Sequence, residues 1–384
     1  MFDILTLNKI AKCGLDMLGD NFAVSDACDN PDGIILRSFS MHDMELGSNL
    51  KGVARAGAGV NNIPIDKCTE KGIVVFNTPG ANANAVKELV LLGLLLSSRK
   101  VVAGIEWAKT LSGDEVGKAV EKGKGSYVGP EIKGKTLGVI GLGAIGAMVA
   151  NAAEALGMKV IGFDPFLSVG AALRLSPSVV CAASMDEVFE NSDYLTLHMP
   201  ANDATNGSIN KEAFAKMKDG VRLLNFARGS LVKDSDLAVA LKEGKVACYV
   251  TDFPNDAVLS MENVVAIPHL GASTPESEDN CAVMAAAELR DFLENGNIKN
   301  SVNFPDCEAP RCGARLVVAH KNAPDMLANL TKIVAEKGIG VSNTISKSKK
   351  DNGYTIMDLD GSADESVASA ISAVDGVYSA RIIL

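Results

Sequence analysis

Along most of the chain, apolar runs of a few residues alternate with stretches whose apolar positions repeat at helical spacing. That alternation predicts parallel strands, covered on both faces by helices and therefore apolar throughout. In the N-terminal part, strands are expected at 2–7, 33–37, 52–56 and 73–76, with helices over 9–18 and 65–71. A long helix is predicted over 83–109. The segment 111–134, richer in Gly and Lys, reads as an exposed arm or a subunit contact. Strands then recur at 137–140, 159–163, 194–199, 222–226, 247–250 and 264–267, separated by helical stretches. A last helix over 274–295 is expected to cross back and complete the first domain.

From residue 311 the order changes to strand, helix, hairpin, helix, strand, the βαββαβ sequence of a small ferredoxin-like domain. Pro305, Pro310 and Gly313 mark 297–313 as a linker. The expected fold class is α/β. A doubly wound cofactor domain at 99–274 interrupts a flavodoxin-like domain at 1–98 and 275–305, and an α+β domain follows at 312–384.

One turn carries more than packing. The strand at 137–140 runs into Gly141-Leu142-Gly143-Ala144-Ile145-Gly146, a small-residue helix follows, and the next strand delivers Asp164. Glycines at these three places permit a tight turn, close approach of backbone to a pyrophosphate, and close packing of helix on strand. The helix N-terminus offers N–H groups and partial positive charge to phosphate oxygens. A carboxylate at Asp164 accepts ribose hydroxyls and repels a 2′-phosphate, so NAD is expected rather than NADP.

Charge and composition narrow the partners. A formal charge of −10 without a basic stripe argues against nucleic acid, and no apolar run has membrane-spanning length. The N-terminus does not read as a signal peptide, so a cytoplasmic protein is expected. The 8 cysteines form no CxxC pair and no zinc spacing, so no metal is expected.

Ligands of an open parallel sheet bind beyond the carboxyl ends of its strands. Five loops follow strands there: Arg37-Ser38, the 55–62 loop with Arg55, Gly57, Ala58 and Gly59, then 225–229, 251–256 and 268–274. The last three bring Arg228, Asp252, Asp256 and His269. A guanidinium binds a carboxylate bidentately, and an imidazole gains or loses a proton near neutral pH. Oxidation of an α-hydroxy acid needs those two groups beside a nicotinamide. Of the 4 histidines, only His269 lies in a glycine-rich turn after a strand.

Taken together, GLGAIG with Asp164, the 225–229 turn and PHLGAST at 268–274 resemble the D-2-hydroxyacid dehydrogenase family. ILRS at 35–38, RAGAGVNNI at 55–63 and the C-terminal domain are similar to its branch acting on D-3-phosphoglycerate. The resemblance implies NAD-dependent oxidation of that acid to 3-phosphohydroxypyruvate, the entry to L-serine synthesis. It implies Arg228 on the substrate carboxylate, His269 as acid/base and Asp256 as its acidic partner. It further implies Gly141, Gly143, Ala144, Ile145, Gly146, Asp164, Phe226, Ala227, Arg228 and Asp252 along the cofactor. Arg37, Ser38, Arg55, Gly57, Ala58 and Gly59 would meet the substrate and its phosphate.

The family usually has glutamate where Asp256 stands, and aligning on Phe253 puts Thr251 rather than Asp252 at the nicotinamide amide. The C-terminal domain resembles an ACT module, which implies L-serine as an effector and a homodimer or homotetramer; Asp325 replaces its usual glycine. Two alternatives stay open. One is a dehydrogenase for glycerate, hydroxypyruvate or 2-hydroxyglutarate, and the other is a non-catalytic NAD(H)-sensing protein of the corepressor kind.

Overall fold

The computed structural model describes residues 1–361 and 365–384. Residues 362–364 of the expected C-terminal domain lie outside the described residues. The chain forms two compact units, 83–274 and the combination of 1–82 with 275–384.

The 83–274 unit is built on a parallel sheet in the order Val264–Ala266, Val246–Thr251, Val221–Asn225, Tyr194–Leu197, Thr136–Ile140, Lys159–Phe163, Val180–Cys181. Chain order reverses direction where Thr136–Ile140 pairs with Tyr194–Leu197, Ile140 opposite Leu197. Such a switch point leaves a crevice for a ligand. The helix Ala144–Ala155 leaves the first of these strands and ends in a left-handed Gly157 (φ +83°). Gly157 N–H bonds the Glu154 carbonyl and Met158 N–H the Ala153 carbonyl, the paired closure that a C-terminal glycine permits.

The helix Ala83–Ser98 belongs to this unit and not, as expected, to the N-terminal domain. Its Val86, Val90 and Leu94 share a core with Leu137, Val139, Phe226 and Val250. The predicted 83–109 helix is two helices, Ala83–Ser98 and Val101–Lys109, divided at Arg99 and Lys100. Within 111–134 lie a helix, Val116–Gly123, and a 3-10 turn, Lys124–Tyr127.

In the other unit, the N-terminal sheet is parallel with the order Phe22–Ser25, Phe2–Leu7, Gly33–Leu36, Gly52–Arg55, Val74–Phe76. This is the flavodoxin-like order. The expected 9–18 helix forms only as Lys12–Leu15. The helix Pro275–Asn295 closes one face of the sheet, its Leu289 and Phe292 lying against Gly33 and Gly52, where any Cβ would collide.

The C-terminal sheet is antiparallel, ordered Gly340–Lys349, Asn352–Asp360, Ala314–Lys321, Val377–Ile383, as a ferredoxin-like domain requires. Side chains of its Ala314–Lys321 strand alternate between two apolar environments. Leu316 and Val318 pack under the helices Met326–Glu336 and Glu365–Ser372. Val317 and Ala319 point the other way, into one core with Phe292, Leu293, Ile298 and Phe304. The predicted linker is therefore packed, with Phe304 and Cys307 fully buried.

Arginines fasten this junction. A helix leaves its last carbonyls unpaired. Here Arg381 donates to the carbonyls of Phe292 and Leu293, Arg311 to Glu294, and Arg315 to Asn295. Positive charge at that end also opposes the helix dipole. Arg315 is fully buried and holds Asp358 through Nε (2.6 Å) and Nη2 (3.2 Å).

Candidate active site

Asp164 ends its strand with both oxygens turned to backbone. One accepts from Leu142 N–H and the other from Phe166 N–H, each at 2.9 Å. The glycines divide their tasks as the spacing predicts. Gly141 has φ +94°, and a Cβ there would lie 2.7 Å from the His198 carbonyl oxygen. A Cβ on Gly146 would run into the Gly141 carbonyl, whereas around Gly143 the space is open. That opening lies at the first turn of the helix, where Gly143 supplies no side-chain cap. Ala144 is exposed and Ile145 half-buried beside it. A diphosphate fits this cradle.

Further along the same sheet edge, three strand ends come together. Asn225 is buried and folds the first turn, its Nδ2 donating to the Arg228 carbonyl (2.9 Å) and its Oδ1 accepting from Ala227 N–H (3.2 Å). Arg228 is thereby presented to solvent, its guanidinium 5.8 Å from the centre of the Phe253 ring. Phe253 also meets His269, with ring centroids 4.6 Å apart. The sequence shows Phe253 only as an alignment point; in the structure its ring is a neighbour of both the cation and the imidazole.

Asp252 lies beneath, 1% exposed, and neither carboxylate oxygen has a hydrogen-bond partner among the described residues. Burial raises its pKa, against the pull of the charges on His269 and Arg228. A buried, unsatisfied carboxylate is costly. One that faces a cofactor site gains its partner when the amide of a nicotinamide arrives, so the residues present fit NAD.

Asp256 is exposed in the first turn of the short helix Asp256–Leu259, which Asn255 caps by accepting from Val258 N–H. Asp252 lies within the electrostatic reach of His269. Phe226 is core: its side chain is buried with Val250, and a Cβ on Gly93 would strike its ring. The Phe226 ring is thereby taken up by the core, while Ala227 stays half-exposed. His198 is half-buried with its Nδ1 covered, and desolvation pushes its pKa down to about 4, which keeps the ring neutral.

In the other unit the expected substrate loops are ordered by their own hydrogen bonds. Arg37 forms an ion pair with Glu278 of the Pro275–Asn295 helix at 2.6 Å. Arg55 folds back, its Nε on the Arg37 carbonyl (3.0 Å) and Nη1 on the Gly59 carbonyl, so it braces the loop from below. Ser38 N–H donates to Asn8 Oδ1 (3.0 Å), Asn77 Nδ2 to the Ala58 carbonyl (2.6 Å) and Thr78 N–H to the Gly57 carbonyl (3.2 Å).

A nucleotide cradle with an arginine and a histidine at one sheet edge defines a nicotinamide-dependent dehydrogenase. Residues 94–271 match the model of the D-isomer specific 2-hydroxyacid dehydrogenase NAD-binding domain. The chain belongs to that family, and NAD is the cofactor of its nucleotide-binding domain.

Among relatives, a hydroxypyruvate reductase of Thermotoga maritima is 42% identical over 262 residues, covering 66% of this chain and 80% of the relative. A D-3-phosphoglycerate dehydrogenase of Archaeoglobus fulgidus is 36% identical over 290 residues, 72% of this chain and 52% of the relative. This chain spans about half the length of the curated D-3-phosphoglycerate dehydrogenases it matches. The NAD-bound 3-phosphoglycerate dehydrogenase of Entamoeba histolytica superposes with a TM-score of 0.61 at 26% identity, over 79% of this chain and 98% of that one.

Proposed function

We propose that the protein is an NAD-dependent dehydrogenase that oxidises D-3-phosphoglycerate to 3-phosphohydroxypyruvate, the first step of L-serine synthesis. The observation that carries the reaction type is the Arg228–Phe253–His269 cluster at the nucleotide sheet's carboxyl edge. Arg228 holds the substrate carboxylate in a bidentate grip. His269 takes the hydroxyl proton, and in the reverse direction returns it. The Asp252 carboxylate steadies the imidazolium formed in that step, or accepts the nicotinamide amide. Bound NAD supplies the hydride acceptor. Asp256, at the position the family resemblance assigns to the acidic partner, competes for that role. Parallel Asp252→Asn and Asp256→Asn variants assign it, since only the true partner shifts the acidic limb of the pH–rate profile.

The phosphorylated substrate is supported by the names of several curated relatives. Arg37 is the phosphate ligand in this reading, the Glu278 carboxylate giving way to the phosphate, with the 57–59 loop on the rest of the substrate. A second reading is supported by the hydroxypyruvate reductase relative and by Glu278, which already neutralises Arg37: an unphosphorylated acid such as hydroxypyruvate. Steady-state kcat/KM on a panel of D-3-phosphoglycerate, D-glycerate, hydroxypyruvate and 2-hydroxyglutarate decides between them. Absence of turnover on every acid would return the NAD(H)-sensing alternative. His269→Ala should lose turnover by roughly 10²–10⁴-fold while still quenching on NADH binding; unchanged turnover sinks the assignment.

We also infer a homo-oligomeric cytoplasmic enzyme whose C-terminal domain binds L-serine. Added L-serine should then lower the rate and raise the melting temperature, and no change in either would retire that effector.

A further inference from the structure

Beyond its first turns, the inner face of the Pro275–Asn295 helix is made of Cys281, Ala282, Ala285, Ala286, Leu289 and Phe292, all in the apolar core, with one polar exception. Glu288 is 8% exposed, and its Oε2 has no hydrogen-bond partner among the described residues. Packing alone gives no reason for a carboxyl there, since a leucine would bury without cost.

What Glu288 does have is a single line of contacts. Its Oε1 accepts from Asn300 Nδ2 (2.7 Å). The Asn300 carbonyl accepts from Asn77 N–H (3.4 Å), and Asn77 Nδ2 reaches the Ala58 carbonyl (2.6 Å). The adjoining Thr78 N–H holds the Gly57 carbonyl, and Thr78 Oγ1 is itself fully buried without a partner among the described residues. Asn300 adopts the left-handed conformation (φ +57°), which its amide side chain tolerates.

We propose that Glu288 is a positioning residue for the 57–59 loop, acting through Asn300 and Asn77 to fix where the loop's backbone meets the substrate. The inference rests on the reading above that this loop contacts substrate. Glu288 touches no reacting atom. Its protonation state matters, because the ionised form would carry its charge in a largely apolar setting with Asn300 as its hydrogen-bond donor. Burial raises its pKa to about 8; Asn300 and Lys299 pull it down and Asp306 pushes it up. The strands beneath present apolar side chains such as Ile35, Ala54 and Phe76, and Lys12 on the short helix packed against this one is exposed and paired with Asp16.

The test uses the full chain, with D-3-phosphoglycerate and NAD, and with hydroxypyruvate and NADH. Glu288→Ala should raise KM for the acid about five- to tenfold, roughly the worth of one hydrogen bond, with kcat within about twofold and KM for the nucleotide unchanged. Glu288→Gln keeps the contact to Asn300 and cannot ionise. It should match the parent at pH 7 and lose the rise in KM that the parent shows above about pH 8. A lowered melting temperature with unchanged KM in Glu288→Ala, or a parental pH profile in Glu288→Gln, would overturn the proposal. Should Glu288→Ala fail to fold, the Glu288→Gln profile still decides. Gly57→Ala separates the two premises: unchanged KM there refutes the loop's part in binding, whereas raised KM there with indifferent Glu288 variants refutes Glu288 alone.

Discussion

Replacing Arg315 by Met keeps the unbranched stem of the side chain and removes its guanidinium, with the charge and five donors. The structure sets the size of the effect. Arg315 is fully buried and donates to Asp358 twice, to the carbonyls of Asn295, Ala309 and Pro310, and to Asn297 Oδ1. Breaking a buried ion pair from one side costs about 3–5 kcal/mol, because the remaining carboxylate is stranded. Three orphaned carbonyls add about 1 kcal/mol each at the low end. The expected loss, about 6–8 kcal/mol, is comparable with the whole stability of an ordinary domain.

Arg315→Met should therefore release the C-terminal sheet from the Pro275–Asn295 helix well before the chain unfolds. Urea denaturation followed by amide hydrogen exchange in 292–321 and 352–360 would show it. The double variant Arg315→Met/Asp358→Leu should regain roughly half the loss, since the stranded charge is gone and the carbonyls are not. A single-variant loss below about 1 kcal/mol, or no recovery in the double, refutes the account, because the reasoning depends on a buried charge left alone.

Glu288 gives a stability prediction independent of kinetics. Its folded pKa, about 8, exceeds an unfolded glutamate's, so the folded state binds the extra proton and stability falls as pH rises from about 4.5 to about 8. The loss over that window is about 5 kcal/mol at most, and Glu288→Gln should flatten it; equal slopes in urea titrations at pH 5 and 8 would contradict the burial cost. Arg228→Lys keeps the charge but not the fork, and should cut kcat/KM about 10- to 100-fold, mostly through KM for the acid. An effect under twofold would mean that Arg228 does not grip the carboxylate.

Much of the site was legible from residue order because it depends on local backbone chemistry. The three glycines of 141–146 and Asp164 stand where their spacing required, and the strand-end turns of Arg228 and His269 did too. What escaped was set by tertiary context. The strand Phe22–Ser25 lies at a sheet edge with three of four side chains exposed, so it lacks the apolar run that marked its neighbours. The division at Arg99 and Lys100 carries no proline or glycine signal.

Asp252 and Asp256 are four residues apart, and only folding shows that the first is buried and the second exposed. The burial of Glu288 and Arg315 has no sequence signal, because periodicity cannot reveal that both faces of a sheet, or the polar gap in a helix face, are covered.

The arginine-capped end of Pro275–Asn295 bears on how the chain can be cut. By sequence the C-terminal domain looks like a detachable module, joined by a proline-bearing connector. Yet it supplies Arg315 and Arg381, two of the three arginines that satisfy the last carbonyls of a helix belonging to the domain before it. Shortening the chain near residue 310 would not produce a minimal dehydrogenase. It would leave a frayed helix end and an uncovered apolar face around Phe292 and Phe304, so expression of the shortened chain should favour aggregates. The covalent boundary and the thermodynamic boundary of this protein fall in different places.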